Sequence, residues 1–182
     1  MGSHKKLDKI ICCDIELTCW SNKEEQGNQS SEIIQIGLCF LNIANKQIEK
    51  QLSYYIKPKY STISNYCTAL TGITPKIAKG AMPLSDACNS IIKTFGARNR
   101  AFATFGDDKT KFRSDCLLKN AEYPFSNHAI DVSLLFHIKH GLNKNNSLKE
   151  CLNIIGFGFE GQQHNALYDA VNTARLLQHL IY

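Results

Sequence analysis

Two spacings of apolar residues organise the chain. Lys9 to Thr18 is a run of Ile and Cys with no helical period, which predicts a buried strand carrying Asp14 and Glu16 near its end. Residues 21–30 are polar, with Gly and Asn, and read as a loop. Residues 33–41 and 47–56 read as a strand and its return, joined by a turn at 42–45, so the chain opens with an antiparallel three-strand meander that Pro58 ends. The period then lengthens. Tyr66, Leu70 and Ile73 fit one face of a short helix that Gly72 and Pro75 break. Pro83 opens a longer helix with Ala87, Ile91, Ile92 and Phe95 as its buried stripe and Gly96 at its end. A short strand over 101–105 delivers Gly106, Asp107 and Asp108, and the next helix is expected to bury Phe112, Cys116 and Leu117. A strand at 128–130 leads to a helix capped by Asp131 and closed by Gly141. Ser147 and Glu150 have capping-box spacing ahead of Leu152, Ile154 and Ile155. After a mobile-looking glycine loop at 158–163, residues 166–181 form the last helix, with Ala170, Ala174, Leu177 and Leu180 on one side. A meander followed by alternating strand and helix predicts an α/β domain around a mixed sheet.

Residues two apart on a strand share a face, so Asp14 and Glu16 point the same way. Two like charges about 4 Å apart repel by about 4 kcal/mol at an effective dielectric of about 20. A core strand holds such a pair with a cation, and hard oxygen ligands suit Mg²⁺ or Mn²⁺. The other reading is a strand that surfaces here, with both acids as ordinary solvated charges.

Two later segments bear on that choice: His164 to Ala174, with Asp169, and Thr104 to Phe112, with Asp107 and Asp108. The order Asp14, Glu16, Asp108, Asp169, with His164 five residues before the last acid, resembles the DEDDh family of 3′–5′ exonucleases. DIELTCW at 14–20, SEIIQI at 31–36 and ISNYCTALTGIT at 63–74 are similar to its Eri-type branch. The resemblance runs from about Lys9 to Leu180. It implies an RNase H-like mixed sheet of five to six strands flanked by helices. It also implies one exonuclease domain over 8–182, with 1–7 as a disordered tail or cloning remnant. The implied reaction is hydrolysis at single-stranded 3′ ends of RNA and/or DNA, RNA favoured, releasing nucleoside 5′-monophosphates. Such hydrolysis needs an activated water and a stabilised leaving alkoxide, which two divalent ions about 3.5–4 Å apart supply. The resemblance assigns two Mg²⁺, replaceable by Mn²⁺, to Asp14, Glu16, Asp108 and Asp169, with Asp14 bridging. His164 becomes the general base, since imidazole exchanges protons near neutral pH. Leu17 and Thr18 would wedge the terminal base and touch the 3′ sugar, and Tyr66 would stack on that base, a contact worth about 1–3 kcal/mol for any base.

Some choices stay open on sequence. Asp108, Phe112 and Cys116 keep the family register, but Gly106 stands two residues before Asp108 where the family commonly has three, and Asp107 is the alternative middle acid. Leu17 and Tyr66 could instead be core. A catalytically silent nucleic-acid-binding module on the same fold is the competing function, together with a proofreading or oligoribonuclease-type exonuclease. All five positions are filled, which opposes the first, and the 63–74 segment opposes the second.

Composition changes little. An excess of 21 basic over 16 acidic residues, net +5, is compatible with nucleic acid without requiring it. The eight Cys include no Cys-x-x-Cys pair and follow no apolar leader, so they read as reduced core thiols of a cytoplasmic protein. No apolar run reaches about 18 residues, so no membrane span is expected. His137 and His140 have ligand spacing without a third ligand and read as surface residues. Lys5, Lys6 and Lys9 read as a solvated tail, and Lys109, Lys111 and Arg113 as phosphate contacts or surface ion-pair partners. Trp20 is expected to pack under the loop that follows it.

Overall fold

A computed structural model describes residues 6–143 and 146–182, so the expected tail lies, up to residue 5, outside the described residues. Strand β1 (Lys6–Leu17) is the middle of a five-stranded sheet. On one side it pairs antiparallel with β2 (Ile33–Asn42), which pairs antiparallel with β3 (Ile48–Tyr55), as the meander pattern predicts. On the other side β4 (Arg100–Thr104) and then β5 (Ala129–Asp131) run parallel. The order is β3-β2-β1-β4-β5.

The expected loop at 21–30 contains one helical turn, α1 (Lys23–Gln26), because Asn22 caps it by accepting from the Glu25 N–H at 2.8 Å. Helix α2 (Asn65–Thr71) buries Cys67 and Thr71 and leaves Tyr66 outside. Pro75 corrects another expectation: it starts α3 (Pro75–Lys79) behind the Thr74 cap, where proline has no helical N–H bond to lose. Helix α4 (Leu84–Phe95) turns Cys88, in place of Ile92, toward the core. Helix α5 (Asp108–Leu118) buries Phe112, Asp115 and Cys116, three or four apart and so on one face, while Leu117 is 83% exposed on the other. Helices α6 (Val132–His140) and α7 (Leu148–Ile154) carry the expected Asp131 cap and Ser147–Glu150 capping box, although Ile154 is left exposed. Helix α8 (Ala166–Ile181) has the predicted span.

Alternation along β1 divides the core. Ile11, Cys13 and Ile15 pack with α4 and α5; Ile10 and Cys12 pack with α6, α7 and α8. Asp14 and Glu16 continue the second set, so they emerge on the α8 side of the sheet.

Three side readings need correcting. Lys9 is a strand residue, paired with Glu49 and lying over the Phe40 ring, and not part of a solvated tail. His137 is half-buried: its Nδ1 meets the Ser133 carbonyl at 2.6 Å and its Nε2 accepts from the Asn146 N–H at 3.0 Å. His140 lies against Phe136, ring centroids 4.3 Å apart. All eight cysteines are free thiols, seven buried and Cys19 half-buried. Among the described residues no helix is long and apolar enough to cross a membrane.

Candidate active site

Each acid of the first pair faces a residue of β2 that seats α8. Asp14 is in register with Gly37 and Glu16 with Gln35. A Cβ at Gly37 would lie 2.0 Å from the Ala166 carbonyl oxygen, so only glycine lets the start of α8 rest on the strand. Gln35 holds the same point: its Oε1 accepts from the Ala166 N–H at 3.2 Å, and its Nε2 donates to Ser53 Oγ at 2.9 Å. Asn165 caps α8, and Asp169, in the first turn, accepts from the Asn165 N–H at 3.1 Å. The result is one oxygen each from Asp14, Glu16 and Asp169 within 4.8 Å of one another.

Asp108 arrives from the opposite side, as the first residue of α5, and lies close enough to Asp14 for each carboxyl to shift the other. Asp107 is exposed, and its carbonyl serves as the helix cap, accepting from the Thr110 N–H at 3.1 Å. Of the two candidate middle acids, Asp108 is therefore the one placed at the cluster.

Burial raises all four carboxyls above their ordinary range, and repulsion from neighbouring acids adds to it at Asp14, Glu16 and Asp108. Asp14 is pushed well up by burial, then by Asp108, Asp169 and Glu16. Glu16 is raised to about 8 by burial, then by Asp169 and Asp108. Asp108 is raised to about 7 by burial, although the bond from Asp14 and the charge of Lys111 pull it down. Asp169 is raised to about 6 by burial, against main-chain N–H bonds from Asn165 and His164.

His164 is exposed, with φ at +60°, immediately before the α8 cap. The preceding loop is not loose, contrary to its glycine content. Asn172, fully buried in α8, accepts from the Glu160 N–H at 3.1 Å and donates to the Glu160 carbonyl at 2.8 Å, and Arg175 donates to the Gly158 carbonyl at 2.7 Å. Gly161 packs directly under the Tyr168 ring.

The expected substrate contacts separate. Tyr66 is 45% exposed on α2, so it is not core. Leu17 is half-buried at the end of β1. The Thr18 side chain is fully buried, its Oγ1 accepting from the Glu32 N–H at 2.9 Å and meeting Ser61 Oγ at 3.1 Å, which leaves its main chain as the part at the end of β1. Arg113 is bound to Asn127 at 2.8 Å and lies over the Tyr123 ring, whereas Lys111 stays near Asp108.

A buried polar network beneath the site was not expected. Glu32, fully buried, accepts from the Lys59 N–H at 2.7 Å, the Tyr60 N–H at 2.8 Å and the Ser61 hydroxyl at 2.6 Å, and pairs with Lys119 at 3.0 Å. Burial alone would raise its carboxyl, but these donors outweigh burial and hold it at about 2. Lys119 also pairs with Asp115, its i−4 neighbour, at 2.9 Å. The i,i+4 spacing was visible in sequence; the third partner, on another element, was not.

A central strand and two flanking helices that pool four carboxyls on one end of a mixed sheet define an RNase H-like nuclease fold. The chain belongs to the family described as Exonuclease (RNase T), whose model matches residues 11–177. It is 29% identical to the 3′–5′ exonuclease Snipper of Drosophila melanogaster, over 92% of this chain and 67% of that protein. It is 27% identical to human ERI1 exoribonuclease 2, over 98% of this chain but only 29% of that longer protein. The solved nuclease domain of 3′hExo, a DEDDh family member bound to rAMP, superposes with a TM-score of 0.87 at 23% identity, covering 100% of this chain and 94% of that one. The Eri-type DEDDh resemblance read from the sequence is borne out.

Proposed function

We propose that this chain is a metal-dependent 3′–5′ exonuclease that hydrolyses single-stranded 3′ ends of RNA or DNA to nucleoside 5′-monophosphates. The observation that carries the reading is the gathering of Asp14, Glu16 and Asp169 onto one spot, with Asp108 close enough to Asp14 to act on its carboxyl, where burial raises all four. Such a set is unfavourable alone and suits hard divalent cations, whose charge would stabilise the ionised carboxylates. Bound Mg²⁺, or Mn²⁺ in its place, would lower the pKa of a water and offset charge on the phosphorus and leaving oxygen. Asp14, Glu16 and Asp169 would hold one ion, and Asp14 with Asp108 the second. His164, exposed and just before the helix that carries Asp169, takes the proton of the attacking water. Leu17 separates the terminal base from its neighbour and Tyr66 stacks on it, which tolerates any base. The names of Snipper and the exoribonuclease relatives support the direction of attack.

The test is digestion of 5′-labelled single-stranded RNA and DNA with Mg²⁺, with Mn²⁺ and with EDTA. A ladder growing from the 3′ end with release of 5′-monophosphates, abolished by EDTA and by Asp14→Asn, is expected. Binding without mononucleotide release in every lane overturns the reading and leaves the silent module.

A further inference from the structure

We propose that the groove between the end of β1 and α5 binds the nucleotide on the 5′ side of the cleaved phosphate, and that Asp115 recognises a hydrogen-bond donor on it. This rests on the exonuclease reading above. The groove, about 470 Å³, is lined by Leu17, Ser31, Lys111, Ser114, Asp115 and Leu118. That volume falls in the range of about 300–1,000 Å³ typical of small-ligand sites.

Three observations converge on it. Asp115 is 4% exposed, and its Oδ2 accepts from the Ile33 N–H at 2.8 Å and from Lys119 at 2.9 Å. Its Oδ1 is equally buried and has no partner among the described residues. A buried acceptor left unpaired costs about 1–3 kcal/mol, a cost that a bound donor removes. Lys111 stands one turn beyond Asp108, is exposed, and joins no ion pair among the described residues, so its charge is available to a phosphate. Leu17 lies between the groove and α2: it lines the groove, while its carbonyl accepts from Cys67 Sγ of α2 at 3.7 Å. A strand with its terminal base on the Tyr66 side would therefore place its next nucleotide on the α5 side. The donor sought by Asp115 is an O–H or N–H, either the sugar 2′-hydroxyl or a base amine.

The experiment measures binding by fluorescence anisotropy, in Mg²⁺, of single-stranded decamers whose terminal linkage is a non-hydrolysable methylenephosphonate. The penultimate residue is ribocytidine, 2′-deoxycytidine or an abasic ribose. Loss of the donor is expected to weaken binding about tenfold in one arm, which identifies sugar or base as its source. Asp115→Asn should erase that preference. Should Asp115→Asn fail to fold, Lys111→Ala and Ser114→Trp, both at exposed positions, carry the test. Each should weaken binding several-fold, and Lys111→Ala should reduce the salt slope by about 0.7. Equal binding in all three arms, or wild-type binding by both exposed-site variants, overturns the proposal. Groove-dependent binding with no cleavage of any natural strand by the wild type sinks the exonuclease reading and leaves the groove.

Discussion

His164 and Gly37 act at the scale of single side chains, in opposite ways. His164 supplies chemistry and little packing, since its ring is exposed. His164→Ala should lower turnover about 10²–10⁴-fold and leave Mn²⁺ affinity, read by calorimetry, unchanged. An unaltered rate would remove it from the base role. Gly37 supplies space alone. In Gly37→Ala the new methyl meets the Ala166 carbonyl, main chain that cannot rotate away. Overpacking of this kind costs about 1–3 kcal/mol. The expected signature is a lowered melting temperature together with a loss of activity larger than the stability loss explains, because Asp169 moves with α8. Full activity in the folded variant would show that the seat tolerates displacement.

Among elements, the tether between α8 and the 158–163 loop decides whether His164 is held or free. Asn172→Ala leaves the Glu160 main-chain groups unpaired, at about 1–3 kcal/mol. Turnover should fall while the metal dependence stays as in wild type; faster proteolysis at 158–163 would report the released loop. That loop also marks where the sequence could and could not be read. Its two glycines suggest freedom, and nothing local reveals that a buried asparagine from the following helix clasps it. The same holds for α5. Apolar spacing placed Phe112 and Cys116 correctly but misled at Leu117, because the third inward position is taken by Asp115, an acid paired with Lys119 and the Ile33 main chain. Strands, caps and the order of the clustered acids are local signals and were legible. Gln35, Gly37 and Glu32 act through partners far away in the chain, and no periodicity encodes them.

For the molecule as a whole, two acidic groupings pull stability in opposite directions with pH. The cluster carboxyls are raised, Glu16 from 4.5 to about 8, Asp108 from 3.8 to about 7 and Asp169 from 3.8 to about 6. A raised group favours the folded state fully below its unfolded value and loses that contribution as pH climbs to the folded one. Glu32 is lowered from 4.5 to about 2, so its contribution is present above 4.5 and lost as acid approaches 2. In EDTA the melting temperature should therefore fall between about pH 5 and pH 8, and fall again below about pH 4. Mg²⁺ or Mn²⁺ at a hundred times its dissociation constant should add about 2.7 kcal/mol and flatten the first decline without touching the second. A metal-independent melting profile would contradict the site.

The docking of α8 against Gly37 and Gln35 also sets the order in which the acidic pocket can be assembled during synthesis. Until residues 166–181 have left the ribosome, neither the last acid nor its scaffold exists. A nascent chain of this kind lacks the complete set of acids, and the pocket closes in one step when α8 docks rather than by degrees.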